Sequence, residues 1–431
     1  MRAVADLLRR EPRARVFFAA LAQSALGTGA AYVALLLVAL DRFDSPWAIG
    51  LVLLADVVPA MFLGPVFGAL ADRWSRRGCA ILGDVVRAGA FLGLVLVDGF
   101  APTFVLALLA GLGTALFNPA ALAALPSLVD ERRLPAATSL FGAIADLGFI
   151  AGPAIAAAVL LAGGPETILG ANAVTFTISA LALAAVRFGE APPGVEGQAR
   201  PSLLREARAG IVATAGMAGL RLVLAASGAA LVFGAIFNVG QPLLAQDELG
   251  SSDAGFAVLV TAYGFGFISG TLSGSRGGSV ALLRRRYLTG AFLMALGFAA
   301  SGVAPAVAAA VVTFLAAGYG NGMLLVYERL LIQALVPDAL SGRVFGIRDS
   351  LTAWAFALGF LVGPLLLDAV CTRAMITAAG ACGLIVWAVT VIGLRRSGLQ
   401  AHPSAPLAGS AGADLAWQRR AREHGADPVG G

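Results

Sequence analysis

Gly148-Phe149-Ile150-Ala151-Gly152-Pro153 returns as Gly359-Phe360-Leu361-Val362-Gly363-Pro364, 359 − 148 = 211 positions later in a chain of 431 residues. The flanks keep the same register: Ser139-Leu140 matches Ser350-Leu351, and Leu147 matches Leu358. With 54 glycines in the chain, isolated glycine spacings recur by chance, but matched flanks do not. The second half therefore repeats the first. Glycines four apart give a helix a flat face for close packing, and a proline just after them bends the helix and frees a carbonyl. Gly148, Gly152 and Pro153, with Gly359, Gly363 and Pro364, are accordingly expected to be the hinges of two moving helices.

Hydrophobic residues make up 59% of the chain and charged residues 13%, with mean hydropathy +0.86, the makeup of a polytopic membrane protein. Apolar stretches long enough to cross about 30 Å of hydrocarbon read at 16–40, 47–70, 79–98, 102–126, 137–163, 166–186, 221–245, 254–274, 286–304, 306–335, 344–367 and 374–394. The expected fold class is an all-α membrane protein of twelve transmembrane helices in two pseudo-symmetric six-helix bundles. Its divisions are an N-terminal segment 1–15, a first bundle 16–186, a linker 187–215, a second bundle 216–396 and a disordered tail 397–431.

All 30 basic residues counted as Lys+Arg are arginines, so a P-loop, which requires lysine, is absent from the sequence. Cys79, Cys371 and Cys382 lie in or beside apolar stretches without metal or disulfide spacing, and His402 and His424 sit in the polar tail. No cofactor, metal or nucleic-acid partner is expected, and acidic residues must carry any proton chemistry. A membrane-embedded enzyme finds no support either, because no Ser-His arrangement or metal set lies within the helices.

The net charge of +5 follows the positive-inside pattern. Arg9, Arg10, Arg13, Arg15, Arg73, Arg76, Arg77, Arg132, Arg133, Arg205, Arg208, Arg284, Arg285, Arg286, Arg395 and Arg396 fall on one side. The opposite loops carry Asp41, Asp44, Asp98, Glu166, Asp247, Glu248, Asp253 and Asp368, against only Arg42 and Arg373. Both termini are thus expected in the cytoplasm of a cell whose plasma membrane the chain spans.

At the cytoplasmic end of the second helix stands Gly68-Ala69-Leu70-Ala71-Asp72-Arg73-Trp74-Ser75-Arg76-Arg77. It resembles the G-x-L-A-D-R-x-G-R-R signature of the major facilitator superfamily, with Ser75 in place of the second glycine. Gly83-Asp84-Val85-Val86-Arg87-Ala88, Phe117-Asn118-Pro119-Ala120 and Gly342-Arg343-Val344-Phe345-Gly346 are similar to the branch containing the enterobactin exporter and the macrolide efflux proteins. The resemblance implies a secondary transporter that expels organic compounds against an inward proton flow. Two departures stand out: the fourth helix lacks the arginine that many drug/proton antiporters place there, and the second-half counterpart Gly270-Thr271-Leu272-Ser273-Gly274-Ser275-Arg276 has no aspartate.

Ionisable side chains at bilayer depth cost at least about 2.5–3.5 kcal/mol on insertion scales, which makes each a functional candidate. Asp146 lies just before the first hexapeptide, where the repeat carries Ala357, and is the leading proton or substrate site. Glu328 is a second proton or cation site or half of a static ion pair, with Arg329 as a tether; Asp56 lines the cavity or is a solvated surface aspartate. Gln23, Asn118, Asn172, Asn238 and Gln241 are polar candidates for substrate, with Phe233, Phe237, Tyr263 and Phe267 as aromatic walls. Gly68, Asp72, Arg73, Arg76, Arg77, Asp84, Arg87, Arg343, Arg348 and Asp349 are grouped as the inner gate. The expected protein is a monomeric, proton-coupled exporter of an amphipathic organic molecule; uptake symport and lipid translocation on the same fold are the alternatives.

Overall fold

The computed structural model describes residues 2–43, 45–73, 75–186, 217–276, 279–336 and 338–396. Asp44, the linker 187–215 and the tail 397–431 lie outside the described residues, as do the side chains of Gly68, Asp72, Arg73, Asp146 and Arg343. Every regular element among the described residues is helical. A short α1 (Arg2–Arg10) precedes α2 (Pro12–Phe43), α3 (Pro46–Arg73), α4 (Arg76–Leu96), α5 (Phe100–Leu128), α6 (Leu134–Leu160) and α7 (Pro165–Ala185). The second half holds α8 (Ala218–Leu243), α9 (Asp253–Leu272), α10 (Val280–Gly302), α11 (Val307–Leu335), α12 (Asp338–Leu367) and α13 (Thr372–Arg396).

Among the described residues, ten helices are long and apolar enough to cross a membrane. The twelve expected from sequence are therefore not confirmed on that criterion. Of the helices from α2 onward, α10 opens on Arg284, Arg285 and Arg286, and α6 is counted only in the shorter apolar runs Ala136–Ala145 and Ala151–Leu160. Helix starts follow local chemistry. Ser75, the departure from the signature's second glycine, caps α4 by accepting from the Gly78 nitrogen at 3.1 Å, and Ser252 and Ser279 do the same for α9 and α10.

The duplication is visible in the packing. In the first half α2 packs on α6 and α7, α3 on α5, and α4 on α5 and α7; in the second, α8 packs on α12 and α13, α9 on α11, and α10 on α11 and α13. Each pair maps onto its twin by advancing six helices. The halves meet chiefly through two further pairs, α3 with α12 and α6 with α9, so each copy of the repeated hexapeptide helix stands at the interface between halves.

The repeated glycines do not serve the two copies equally. A methyl group on Gly152 would overlap the backbone of Gly29 and stand 2.5 Å from the Ala30 nitrogen, so α2 and α6 run backbone to backbone. On Gly363 the same methyl would meet only the side chain of Val239, at 3.1 Å. Pro153 and Pro364 lie inside continuous helices.

At the acidic end each half is stapled by one arginine. Arg42 reaches Glu166 at 3.0 Å and the carbonyls of Leu94 and Val97, tying α2, α4 and α7. Arg373 reaches Glu248 at 2.9 Å and the Ala304 carbonyl at 2.8 Å, tying α8, α10 and α13. These two exceptions to the charge asymmetry are structural, each neutralising a helix end and a carboxylate together.

Candidate functional site

Between the halves lies a cavity of about 200 Å³, lined by Tyr32 of α2, Pro153 of α6, and residues of α8 to α12. Its polar groups are two phenols and three amides: Tyr32, Tyr263, Asn238, Gln241 and Asn321. Asn321 donates to the Tyr263 hydroxyl at 2.8 Å and keeps its own buried Oδ1 unpartnered. Gln241 donates to Asn238 at 3.4 Å and pairs with the hydroxyl of Tyr32, linking the halves at this depth. Phe267 and Phe356 complete the apolar wall, and no charged side chain lines the cavity among the described residues.

Asn238, Gln241, Tyr263 and Phe267, candidates from the sequence, line this cavity, while Phe237 does not. It is buried, stacked 4.3 Å from Phe298 and packed 5.0 Å from Phe314, and forms the core of the second half. Gln23 ties α2 to the Thr175 carbonyl of α7 at 2.7 Å. Asn172 is buried beside Thr175, and Asn118 is exposed. Tyr32, Asn321 and Phe356 were missed, because helices apolar on every side give no periodicity that separates a cavity face from a lipid face.

Asp56 is accessible on α3, about 15 Å from that helix's acidic end at 1.5 Å per residue. It has no hydrogen-bond or ion-pair partner among the described residues, and its charge acts on Tyr32 of the cavity wall and on Arg87. Residue 146 belongs to α6, seven positions before Pro153. Pro364, the twin of Pro153, lies against Gly50 of α3, so this face of the repeated helix is the one turned to the other half.

The residues grouped as an inner gate separate into several places. Asp84 and Arg87 are buried inside the first half, paired with each other, with the Arg87 guanidinium sandwiched 4.2 Å from the rings of both Phe117 and Phe176. Their burial within α4, α5 and α7 sets them apart from a gate. Arg76 donates to the Ala123 carbonyl at 2.9 Å, and Arg77 caps the end of α7 through the Leu183 carbonyl at 3.0 Å and that of Ala184. Arg348 bonds within its own half, to buried Glu328 at 3.0 Å and to Asp349 at 2.9 Å. Glu328 is thus ion-paired in this structure, and Arg329, about 100° further round α11, is exposed with no partner among the described residues.

At the acidic end the halves are joined by the Trp47 indole, which donates to Asp368 at 3.0 Å. Deeper along α3 and α12, Phe62 and Trp354 meet edge to face with ring centroids 5.7 Å apart.

A family model described as Major Facilitator Superfamily matches residues 17–285, well over half of the chain. The multidrug efflux pump Tap of Mycobacterium tuberculosis is 28% identical over 383 residues, covering 84% of this chain and 88% of the relative. Macrolide efflux protein A of Streptococcus pyogenes is 21% identical over 339 residues, covering 76% of this chain and 82% of the relative. Among solved structures, the nucleoside transporter NupG superposes with a TM-score of 0.70 at 12% identity, over 89% of this chain and 99% of the other, a likeness of fold alone.

Proposed function

The chain belongs to the major facilitator superfamily, and from that premise we propose that it expels an amphipathic organic molecule from the cytoplasm in exchange for protons, by rocking its two halves about a central site. It is a multi-pass membrane transporter of small molecules, and the efflux pumps it resembles support export over uptake.

The observation that carries the reading is the uncharged, partly aromatic cavity at the junction of the halves. Amides and phenols orient a polar group while Phe267 and Phe356 take an apolar body, which selects shape and amphipathicity over fixed charge. At about 200 Å³ the cavity is smaller than the roughly 300–1,000 Å³ of drug-sized sites, so loading requires the halves to part at one end. In this reading the Trp47 to Asp368 bond helps hold the acidic end together, and the arginine distribution supports an outward-facing acidic end with both termini in the cytoplasm.

In this reading Asp146 of α6 and accessible Asp56 carry the protons, and the protein works as a monomer. The twin of this helix in the second half, α12, has no matching acid: Ala357 occupies the repeat position. Protonation of a single carboxylate at bilayer depth removes a charge that apolar surroundings otherwise have to solvate, which favours the closed state on one side.

The test is transport in energised vesicles. Substrate accumulation in inverted vesicles under a proton gradient is expected; accumulation only in right-side-out vesicles assigns uptake instead. In Asp146→Asn, substrate-coupled proton movement is expected to fall to background, and unchanged coupling removes Asp146 from the mechanism.

A further inference from the structure

Far from the central cavity, on the flank of the second half, α10 and α13 enclose an open groove of about 430 Å³. Both helices pack within their own half. The groove therefore faces the surroundings of the protein, not the path between the halves.

Its chemistry changes along its length. At the arginine-rich end it is lined by Arg284 and Arg285 of α10 and Arg395 of α13, with no carboxylate among its walls. Arg284 is held by the Leu394 carbonyl at 3.4 Å, whereas the guanidiniums of Arg285 and Arg395 are exposed and have no partner among the described residues. About 10–12 Å deeper, by helix rise, the walls become the ring pair Phe292 and Trp387, centroids 5.0 Å apart, with Val391 between the two levels. Arg285 and Phe292 fall on one stripe of α10, and Trp387, Val391 and Arg395 on one stripe of α13, so both helices present cation above and apolar surface below.

We propose that this groove binds an anionic phospholipid: its phosphate sits between Arg285 and Arg395, and an acyl chain runs down past Val391 to Phe292 and Trp387. A soluble anion satisfies only the upper part of this surface. A neutral lipid leaves two converging cations uncompensated, and charge complementarity with the apolar continuation selects a molecule that is both.

The experiment uses the full chain in nanodiscs of phosphatidylcholine titrated with phosphatidylglycerol, the bound lipid being counted by native mass spectrometry. Each arginine near the headgroup is worth about fivefold in affinity, so Arg285→Gln/Arg395→Gln is expected to weaken phosphatidylglycerol binding about thirtyfold. Arg285→Lys/Arg395→Lys, which keeps the charge, is expected to retain most of it. Arg221→Gln/Arg396→Gln, on the other flank of α13, is expected to leave it unchanged. Unfolding temperatures in pure phosphatidylcholine confirm that each variant is folded. Equal affinity for phosphatidylcholine, unchanged binding in the double glutamine variant, or displacement of the lipid by millimolar inorganic phosphate each overturns the assignment.

Discussion

Replacing Gly152 and Gly363 by alanine, one at a time, applies the same chemical change at equivalent points of the repeat and is expected to give opposite results. On α6 the new methyl meets the backbone of Gly29 and Ala30, with the Ala30 nitrogen at 2.5 Å. Ordinary contact lies near 3.5 Å, so α2 and α6 must separate by about 1 Å, and no rotamer relieves a clash with main chain. Overpacking of this kind costs about 1–3 kcal/mol, here at the upper end, against about 1 kcal/mol gained from alanine's helix propensity. Gly152→Ala is thus expected to destabilise by about 2 kcal/mol, roughly thirtyfold in the folding equilibrium. On α12 the methyl touches only the Val239 side chain, at 3.1 Å, which shifts by a few tenths of an ångström. Gly363→Ala is expected to be neutral or stabilising by up to about 1 kcal/mol. Thermal and denaturant unfolding of both variants in the same detergent measures the difference. Equal losses in the two variants, or a larger loss for Gly363→Ala, would falsify the claim that the copies pack differently.

Breaking the buried pair by Arg87→Ala leaves the buried Asp84 without its counter-charge and is expected to cost about 3–5 kcal/mol, with Asp84→Ala/Arg87→Ala recovering part of it, as read by denaturant midpoints. Trp47→Phe removes the hydrogen bond that joins the halves at the acidic end, worth about 1–1.5 kcal/mol. A cysteine pair reporting opening there should shift several-fold toward the open state, and an unchanged population contradicts a gating role for that contact. Phe237→Ala is expected to lower stability by about 3–5 kcal/mol, whereas Phe267→Ala should alter the substrate profile in a resistance panel with little change in unfolding temperature.

Much of the architecture was legible because it is written in local chemistry. The duplicated hexapeptide carries packing glycines, and packing glycines recur wherever the same helix contact recurs. Arginine placement marked one side of the membrane, and the Asp72 motif marked the family. The site was less legible. Asp84 and Arg87 stood out as a motif, but three positions apart on a helix they fit a gate or a core equally well. Only the rings of Phe117 and Phe176 around the guanidinium decide for the core. Arg348 likewise looked free to reach the first half until Glu328 was found beside it.

By itself the sequence determined that this chain spans a membrane, that it is built twice, and that one helix of each copy carries a glycine-proline seam. Those properties depend on hydropathy and on spacing along one helix, which neighbours do not alter. Only the tertiary structure decided that Gly152 packs on backbone while its twin Gly363 meets a valine side chain. It alone decided that Arg42 and Arg373 each tie helices within one half, and that the central cavity is walled by amides and phenols with no lining charge among the described residues. Those depend on which faces of uniformly apolar helices turn toward each other, and a helix without an amphipathic stripe carries no record of that choice.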